Sequence, residues 1–298
     1  MVTRGSAIDV VAGGFSFLEA PRWHDGRLYA SEWGSRRVIA VSGADVTTVC
    51  TLDDVPGGIG FRPDGSLRVV AMNSRRVVSF DGTSIRTDAD LGTRVRWPLN
   101  DLVQGHGGTA YVGNFGWEAT DDALIATTAI HSIDAEGQFA EAASGLVFPN
   151  GMVITPDGQT LLVAETFAAR VTAFRVAPDG RLGSRWTWAE FGDSTTWKDV
   201  REAKASGVLL PDGIALDAEG CLWVGDASSG AIVRADDAGR ILERISFPGY
   251  HLLAGALGGA DGRTLFICAN HLGAPREAAG ALLLRSRVAV PAAVVFSW

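Results

Sequence analysis

Cysteine is scarce in this chain of 298 residues: Cys50, Cys221 and Cys268 have no metal-site spacing. So sparse and odd a set excludes a disulfide-stapled scaffold and favours a reducing compartment. No apolar run has the length that crosses a bilayer, and the first residues lack the apolar core of a secretory signal. We therefore expect a cytoplasmic protein that does not bind membranes.

Positive charge is also in short supply, with 26 Lys and Arg against 34 Asp and Glu and a net charge of −8. This balance argues against nucleic acid or an anionic lipid surface as the partner. The sequence has no Gly-x-Ser-x-Gly elbow and no Walker or dinucleotide glycine motif. Chemistry through an acyl-enzyme or a bound nucleotide is therefore not expected.

Glycine, in contrast, is abundant at 37 residues while proline stays at 11, which favours many tight turns over disorder. The segment Phe148–Val176 shows the pattern, because three short apolar runs joined by polar turns predict three antiparallel strands. Its first turn recurs five more times along the chain. The six turns are Asp25-Gly26, Asp64-Gly65, Gly107-Gly108, Asp157-Gly158, Glu219-Gly220 and Asp261-Gly262.

Successive turns lie 39, 43, 50, 62 and 42 residues apart. A period of about 40 residues with several short strands per repeat is typical of a β-propeller. We predict an all-β fold: one six-bladed β-propeller domain, residues 1–298, with four-stranded antiparallel blades around a central metal-binding channel. A (β/α)8 barrel would need a long helix in every repeat, and the best helical candidate is Asp199–Ser206. A large β-sandwich would not repeat so regularly.

Two further features of the ring are expected. The chain ends are predicted to share a blade, through strands at Ile8–Val11 and Val288–Phe296. The long interval Arg181–Leu210 is expected to form an extended loop over one mouth of the propeller.

One position in each repeat carries the candidate chemistry. Counted back from the turn by seven residues, or by six in the first repeat, this position is Glu19, Gly57, Asn100, Asn150, Asp212 and Ala254. The first strand of a propeller blade lines the central channel, so these positions converge near the axis. Four of them carry oxygen donors, and the other two are small enough to leave room.

Two carboxylates and two amide oxygens without His or Cys form a ligand set for a hard cation. Ca2+ is the expected ion, with Mg2+, Mn2+ or Zn2+ as alternatives. A competing interpretation gives these residues to turns, because Asn-Gly and Asp-Gly are common turn dipeptides. The shared register of all four positions favours the metal site.

Several motifs resemble one known family, the gluconolactonase / senescence-marker-protein (regucalcin) family, over nearly the whole chain. The resemblance is carried by Glu19-Ala20-Pro21-Arg22-Trp23, Asn100-Asp101-Leu102, Pro149-Asn150-Gly151 and Pro211-Asp212-Gly213 with Gly220-Cys221-Leu222-Trp223. Family members are six-bladed propellers that bind a divalent cation, often calcium, and many hydrolyse lactones. The resemblance implies Glu19, Asn150 and Asp212 as metal ligands, with Asn100 as a fourth ligand or a substrate contact.

The sequence departs from the sugar-lactone hydrolases of that family, which often have an arginine two residues before the third-blade asparagine. Pro98 holds that position here. Aromatic residues are instead frequent beyond the strand ends, although some of them are expected to pack between blades. The predicted substrate contacts are Trp33, Trp97, Phe115, Trp117, Phe167 and Asp101. The expected substrate is more apolar than a sugar-acid lactone.

The predicted activity is hydrolysis of a lactone or other small-molecule ester by metal-activated water. Asp212 is the candidate general base, and His251 is a second proton-transfer candidate, although the position favours a loop histidine without a catalytic part. Asp101 would point to the opposite face of a regular strand from Asn100, which favours an orienting role. Phosphotriester or aryl-ester hydrolysis and non-catalytic calcium or ligand binding stay open, as does the oligomeric state.

Overall fold

The computed structural model describes residues 7–105, 107–117, 120, 122–195, 197–271, 273, 275 and 278–293. Its strands in chain order are β1 (Ile8–Phe15), β2 (Leu18–His24), β3 (Arg27–Glu32), β4 (Arg37–Ser42), β5 (Asp45–Thr51), β6 (Pro56–Phe61), β7 (Leu67–Ala71), β8 (Arg76–Phe80), β9 (Ile85–Asp90), β10 (Leu99–Gln104), β11 (Ala110–Asn114), β12 (Thr128–Ile133), β13 (Phe139–Leu146), β14 (Pro149–Ile154), β15 (Thr160–Glu165), β16 (Arg170–Val176), β17 (Leu182–Glu190), β18 (Pro211–Leu216), β19 (Leu222–Asp226), β20 (Ile232–Ala235), β21 (Ile241–Ile245), β22 (Tyr250–Gly258), β23 (Thr264–His271) and β24 (Ala281–Arg287).

These strands form six four-stranded antiparallel sheets, which confirms the predicted six-bladed propeller. Blades 1 to 5 are β2–β5, β6–β9, β10–β13, β14–β17 and β18–β21, and blade 6 combines β22–β24 with β1. Each of the six predicted turns joins the first and second strands of its blade. The second residue of each turn is a glycine with φ between +68° and +84°, a conformation that glycine adopts at little steric cost.

The two ends of the described chain close the ring in blade 6, as predicted, but the C-terminal partner differs. β1 pairs with Ala281–Arg287 in place of the predicted Val288–Phe296. Residues 288–293 cross to the turns of blades 5 and 6, where Ala292 donates to the Gly262 carbonyl and Ala293 to the Leu216 carbonyl. The remainder of the predicted strand lies outside the described residues.

The core lies between neighbouring blades. Second strands are buried on both faces, and in β7, β11 and β19 every residue is buried. Leu28 and Ile39 of blade 1, for example, pack in one cluster with Leu283 of blade 6. Each fully buried aliphatic side chain contributes about 1.5–3 kcal/mol, so this packing holds the first strands side by side around the channel.

Two long connections cover one mouth of the channel. The predicted loop at Arg181–Leu210 is shorter than expected, because β17 takes up its first part. The predicted helix is confirmed as α1 (Val200–Ala205), in which the Asp199 side chain accepts a hydrogen bond from the Glu202 amide. The Val200 amide donates to the Ala123 carbonyl, so this loop is bonded to the connection that follows β11.

Candidate metal centre

Every first strand contains a β-bulge at the height of the predicted ligands. In β10, for example, two residues lie between the paired positions Leu99 and Leu102, whereas only one residue lies between their partners in β11. The shifts lie at Glu19/Arg22, Pro56/Ile59, Leu99/Leu102, Pro149/Met152, Pro211/Ile214 and Leu252/Ala254. A bulge re-aims side chains, so two consecutive residues can face the channel. Asn100 and Asp101 accordingly line the same pocket, in contrast to the alternation expected for a regular strand.

Glycines at this height let neighbouring first strands approach closely. A Cβ on Gly151 would lie 2.5 Å from the Asp212 carbonyl oxygen, and one on Gly57 would lie 2.5 Å from the Asn100 carbonyl oxygen. Gly151 and Gly213 lie within strands and have no positive φ. The Asn-Gly and Asp-Gly dipeptides at this position are therefore not turns; their glycines make the channel narrow.

The pocket at the ligand end of the channel is lined by Glu19, Asn100 and Asn150 among others. The Asn100 amide nitrogen donates to Asn150 Oδ1 at 3.0 Å, so the side chains of blades 3 and 4 are in contact. Glu19 Oε2 accepts a hydrogen bond from the Ala20 amide at 3.0 Å. Gly213 lines the pocket next to Asp212, which places the backbone of the fourth predicted ligand at the same height.

Electrostatically, this pocket favours a cation. Arg22 Nη2 binds both carboxylate oxygens of Asp101, at 2.9 and 3.1 Å, and the Leu102 carbonyl at 2.8 Å. Glu19, Asp101 and Asp212 carry three formal negative charges and Arg22 one positive charge, so the four residues sum to −2. A bound dication would bring this sum to zero.

The donor chemistry fits a hard divalent ion. The cavity measures about 20 Å3, enough for an ion or about one water molecule. Within the described residues no group of three or more His, Cys, Asp or Glu side chains is placed to hold a metal. A centre here would thus depend on the amide oxygens of Asn100 and Asn150, which suit Ca2+ better than Zn2+.

The predicted substrate-contacting residues fall into two groups. Trp33 and Asp101 line the ligand pocket. The other four, Trp97, Phe115, Trp117 and Phe167, pack in one hydrophobic cluster with Phe148 at the mouth covered by the long connections, and Trp33 also packs against this cluster. Ring centroids of Phe115, Trp117 and Phe167 lie between 5.0 and 6.1 Å from their aromatic neighbours in that cluster. Contact of these four residues with a substrate stays a prediction.

His251 lies in β22 and is not among the residues that line the ligand pocket. Burial lowers the pKa of His251, nearby Asp226 opposes this shift, and Lys204 adds to it. The imidazole is therefore mainly neutral near pH 7 and able to accept a proton. Its catalytic role stays a prediction.

A second, larger cavity of about 890 Å3 opens at the other ends of the first strands. Its wall is mainly apolar and includes Ile59, Val103 and Ile154. Arg22 lines both this cavity and the ligand pocket. No motif in the sequence marks this cavity, since its wall consists mainly of ordinary strand residues.

Sequence reasoning also missed two polar residues of the centre, Arg22 and Thr166. Arg22 lies in the quoted motif after Glu19, yet its partner Asp101 is 79 residues away. Thr166 directly follows β15, at the start of a short 3-10 turn, accepts a hydrogen bond from Asn150 Nδ2 at 3.2 Å and is 2% exposed. Ser31 of blade 1 precedes the paired Glu32, whereas Thr166 follows the corresponding Glu165, so no repeated register position marked Thr166 in the sequence.

Fold and pocket together define a six-bladed propeller with a pocket at one end of its channel, lined by the oxygen-bearing side chains of Glu19, Asn100, Asp101 and Asn150 among others. Residues 17–271 match the family described as SMP-30/Gluconolactonase/LRE-like region, and the chain belongs to this family. The family resemblance stated from the motifs is thereby confirmed. In the described part of the chain no helix is both long and apolar enough to span a membrane.

Named relatives include two lactonases, in agreement with the predicted enzyme class. The pentonolactonase of Haloferax volcanii is 27% identical over 254 residues, covering 84% of this chain and 80% of the relative. The gluconolactonase of Zymomonas mobilis is 28% identical over 229 residues, covering 72% of this chain and 62% of the relative. In fold, the chain is similar to the calcium-binding protein regucalcin of Agrobacterium tumefaciens, with a TM-score of 0.75, 19% identity and coverage of 96% and 95% of the two chains.

Proposed function

We propose that this protein is a metal-dependent lactonase, with Glu19, Asn100, Asn150 and Asp212 as the metal ligands. The observation that supports the proposal is the bulge shared by all six first strands, where Glu19, Asn100 and Asn150 line one narrow pocket and Gly213, next to Asp212, also lines it. The lactonase names of two relatives support the reaction class. Ca2+ is the proposed ion because all four donors are oxygens.

When bound, the cation would supply Lewis-acid polarisation of the ester carbonyl and lower the pKa of a water molecule beside it. Asp212 accepts the proton of the attacking water as the new C–O bond forms. The ring C–O bond then breaks, and the proton passes to the leaving alkoxide to give the hydroxy acid. Asp101, held by Arg22, orients the neighbouring Asn100.

The substrate is proposed to be a lactone with an apolar part. The 20 Å3 cavity has room for an ion but not for a lactone ring, so the ring must lie on its mouth side. Trp33 lines the pocket and supplies an apolar surface there. Trp97, Phe115, Trp117 and Phe167 lie in the neighbouring cluster and are proposed to contact the alkyl or aromatic substituent.

The test compares the wild type, Asp212→Ala and the exposed control Asp237→Ala in a pH-indicator assay with sugar, alkyl and aromatic lactones. Loss of a general base costs about 100-fold or more in turnover, so we expect at least that loss in Asp212→Ala and none in Asp237→Ala. Chelation should abolish wild-type turnover, and added Ca2+ should restore it. Equal turnover in both variants would refute the role of Asp212.

Two outcomes favour the other functions. Chelator-sensitive turnover of aryl esters or phosphotriesters without turnover of lactones would indicate the alternative hydrolase. Calcium binding without turnover of any ester would indicate a binding protein. A preference for sugar lactones would contradict only the apolar character proposed for the pocket, and not the lactonase activity.

A further inference from the structure

One chain of hydrogen bonds fixes which atom Asn150 presents to the pocket. It begins at the Pro211 carbonyl oxygen, which only accepts hydrogen bonds, so the Thr166 hydroxyl at 2.8 Å must donate to it. With its proton used, the Thr166 oxygen can only accept from Asn150, and the group that donates is the amide nitrogen, 3.2 Å away. The amide oxygen of Asn150 is left on the side of Asn100, which donates to it at 3.0 Å.

We propose that Thr166 is a positioning residue that turns the amide oxygen of Asn150, and not its NH2 group, toward the ion. A flipped amide would place two N–H groups of Asn150 in the pocket, and these repel a cation. Thr166 is 2% exposed and Asn150 8%, so water has little access to replace this bond. The inference rests on the metal centre of the proposed function.

Thr166 also joins two ligand-bearing strands. Its hydroxyl donates across the blade boundary to Pro211, the residue directly before Asp212, and accepts from Asn150 within its own blade. The oxygen of one amide ligand and the backbone that carries a carboxylate ligand are therefore oriented by one side chain. Partners of this kind are known to affect metal affinity by about 10–100-fold in other proteins.

Blade 1 offers a matched control. The Ser31 hydroxyl donates to the Gly57 carbonyl at 2.6 Å, which is the same kind of bond between neighbouring blades in an equally buried place. Gly57 occupies the ligand position of blade 2 but has no side chain to offer. Removal of the Ser31 hydroxyl should weaken the contact between blades 1 and 2 without reorienting any proposed metal ligand.

The experiment measures Ca2+ affinity by calorimetry on chelator-treated protein, for the wild type, Thr166→Val, Thr166→Ser and Ser31→Ala. We expect Thr166→Val to bind Ca2+ about 10–100-fold more weakly, and Thr166→Ser and Ser31→Ala to bind as the wild type does. Urea unfolding should show similar losses of stability in Thr166→Val and Ser31→Ala. An equal affinity loss in these two variants, or none in Thr166→Val, would overturn the inference.

A second readout needs no metal. In protein labelled with 15N-asparagine, the side-chain NH2 signals of Asn150 can be assigned through their absence in Asn150→Asp. We expect these signals to shift and to exchange faster with water in Thr166→Val, and to stay unchanged in Ser31→Ala. Unchanged Asn150 signals in Thr166→Val would overturn the inference even if Ca2+ binds. Absence of Ca2+ binding by the wild type would instead refute the proposed metal centre, and the NMR result would then decide the role of Thr166.

Discussion

Replacing Gly151 with alanine tests whether the narrow channel holds the metal ligands in place. The added methyl group would lie 2.5 Å from the Asp212 carbonyl oxygen and 2.7 Å from both Gly213 Cα and Ile214 N. All three contacts are to backbone, so no side-chain rotation can relieve them. The strands that carry Asn150 and Asp212 have to move apart.

The size of the effect follows from these distances. Non-bonded heavy atoms pack at about 3.5 Å, so β14 and β18 must separate by roughly 1 Å. Overpacking of this kind costs about 1–3 kcal/mol of unfolding free energy. Metal–ligand distances tolerate only about 0.2 Å, so we also expect Ca2+ affinity to fall by at least about tenfold.

Gly107→Ala is the matched control for this variant. Gly107 has no positive φ, and a Cβ built on it has no atom within 4 Å. We expect its stability to be unchanged or to rise by about 0.4–1 kcal/mol, with normal Ca2+ binding. Urea unfolding and calorimetry measure both quantities for the two variants. Wild-type stability and affinity in Gly151→Ala would refute the close approach of these strands.

Two further predictions concern stability. Asn270→Ala should lose about 2–4 kcal/mol of unfolding free energy in urea, because Asn270 is buried and bonds both the amide and the carbonyl of Leu18, at 2.8 and 3.0 Å. A loss under about 0.5 kcal/mol would contradict the role of Asn270 in joining blade 6 to blade 1. Burial lowers the pKa of His131, opposed by Glu141, so as the pH falls below about 6.5 the unfolded chain takes up a proton first and stability decreases. Between pH 7.5 and 5.5 the free energy of unfolding should therefore decrease less for His131→Gln than for the wild type. Identical slopes of this free energy against pH in the two proteins would contradict the role given to His131.

The fold could be predicted because its signal is local and repeated. An Asp-Gly or similar turn followed by a short apolar run specifies a hairpin, and six copies at similar spacing specify the ring. The predicted ligand positions rest on the same register and stay a prediction. Asp101 shows the limit of this reasoning, since alternation assumes a regular strand. The bulge adds one residue to β10 relative to β11, and no residue type marks it in advance.

Long-range packing decided what the sequence left open. Ala281–Arg287 and Val288–Phe296 are both apolar enough for a strand, and only the pairing with β1 selects the first. Trp33 and Trp117 likewise look equivalent as loop aromatics. Both pack against the cluster that contains Phe148 and Phe167, but of the two Trp33 also lines the ligand pocket, because the loops that carry them differ in their neighbours.

The blade that joins β1 to β24 also sets an order of events during synthesis. Among the described strands β1 is synthesised before all others, and its partner β24 after all others. Leu18, the residue before Glu19, is held by Asn270, which is synthesised 252 residues later. Glu19 therefore reaches its final position only when the last blade has been added. In a nascent chain, we therefore expect the proposed ion site to be completed only when the ring closes.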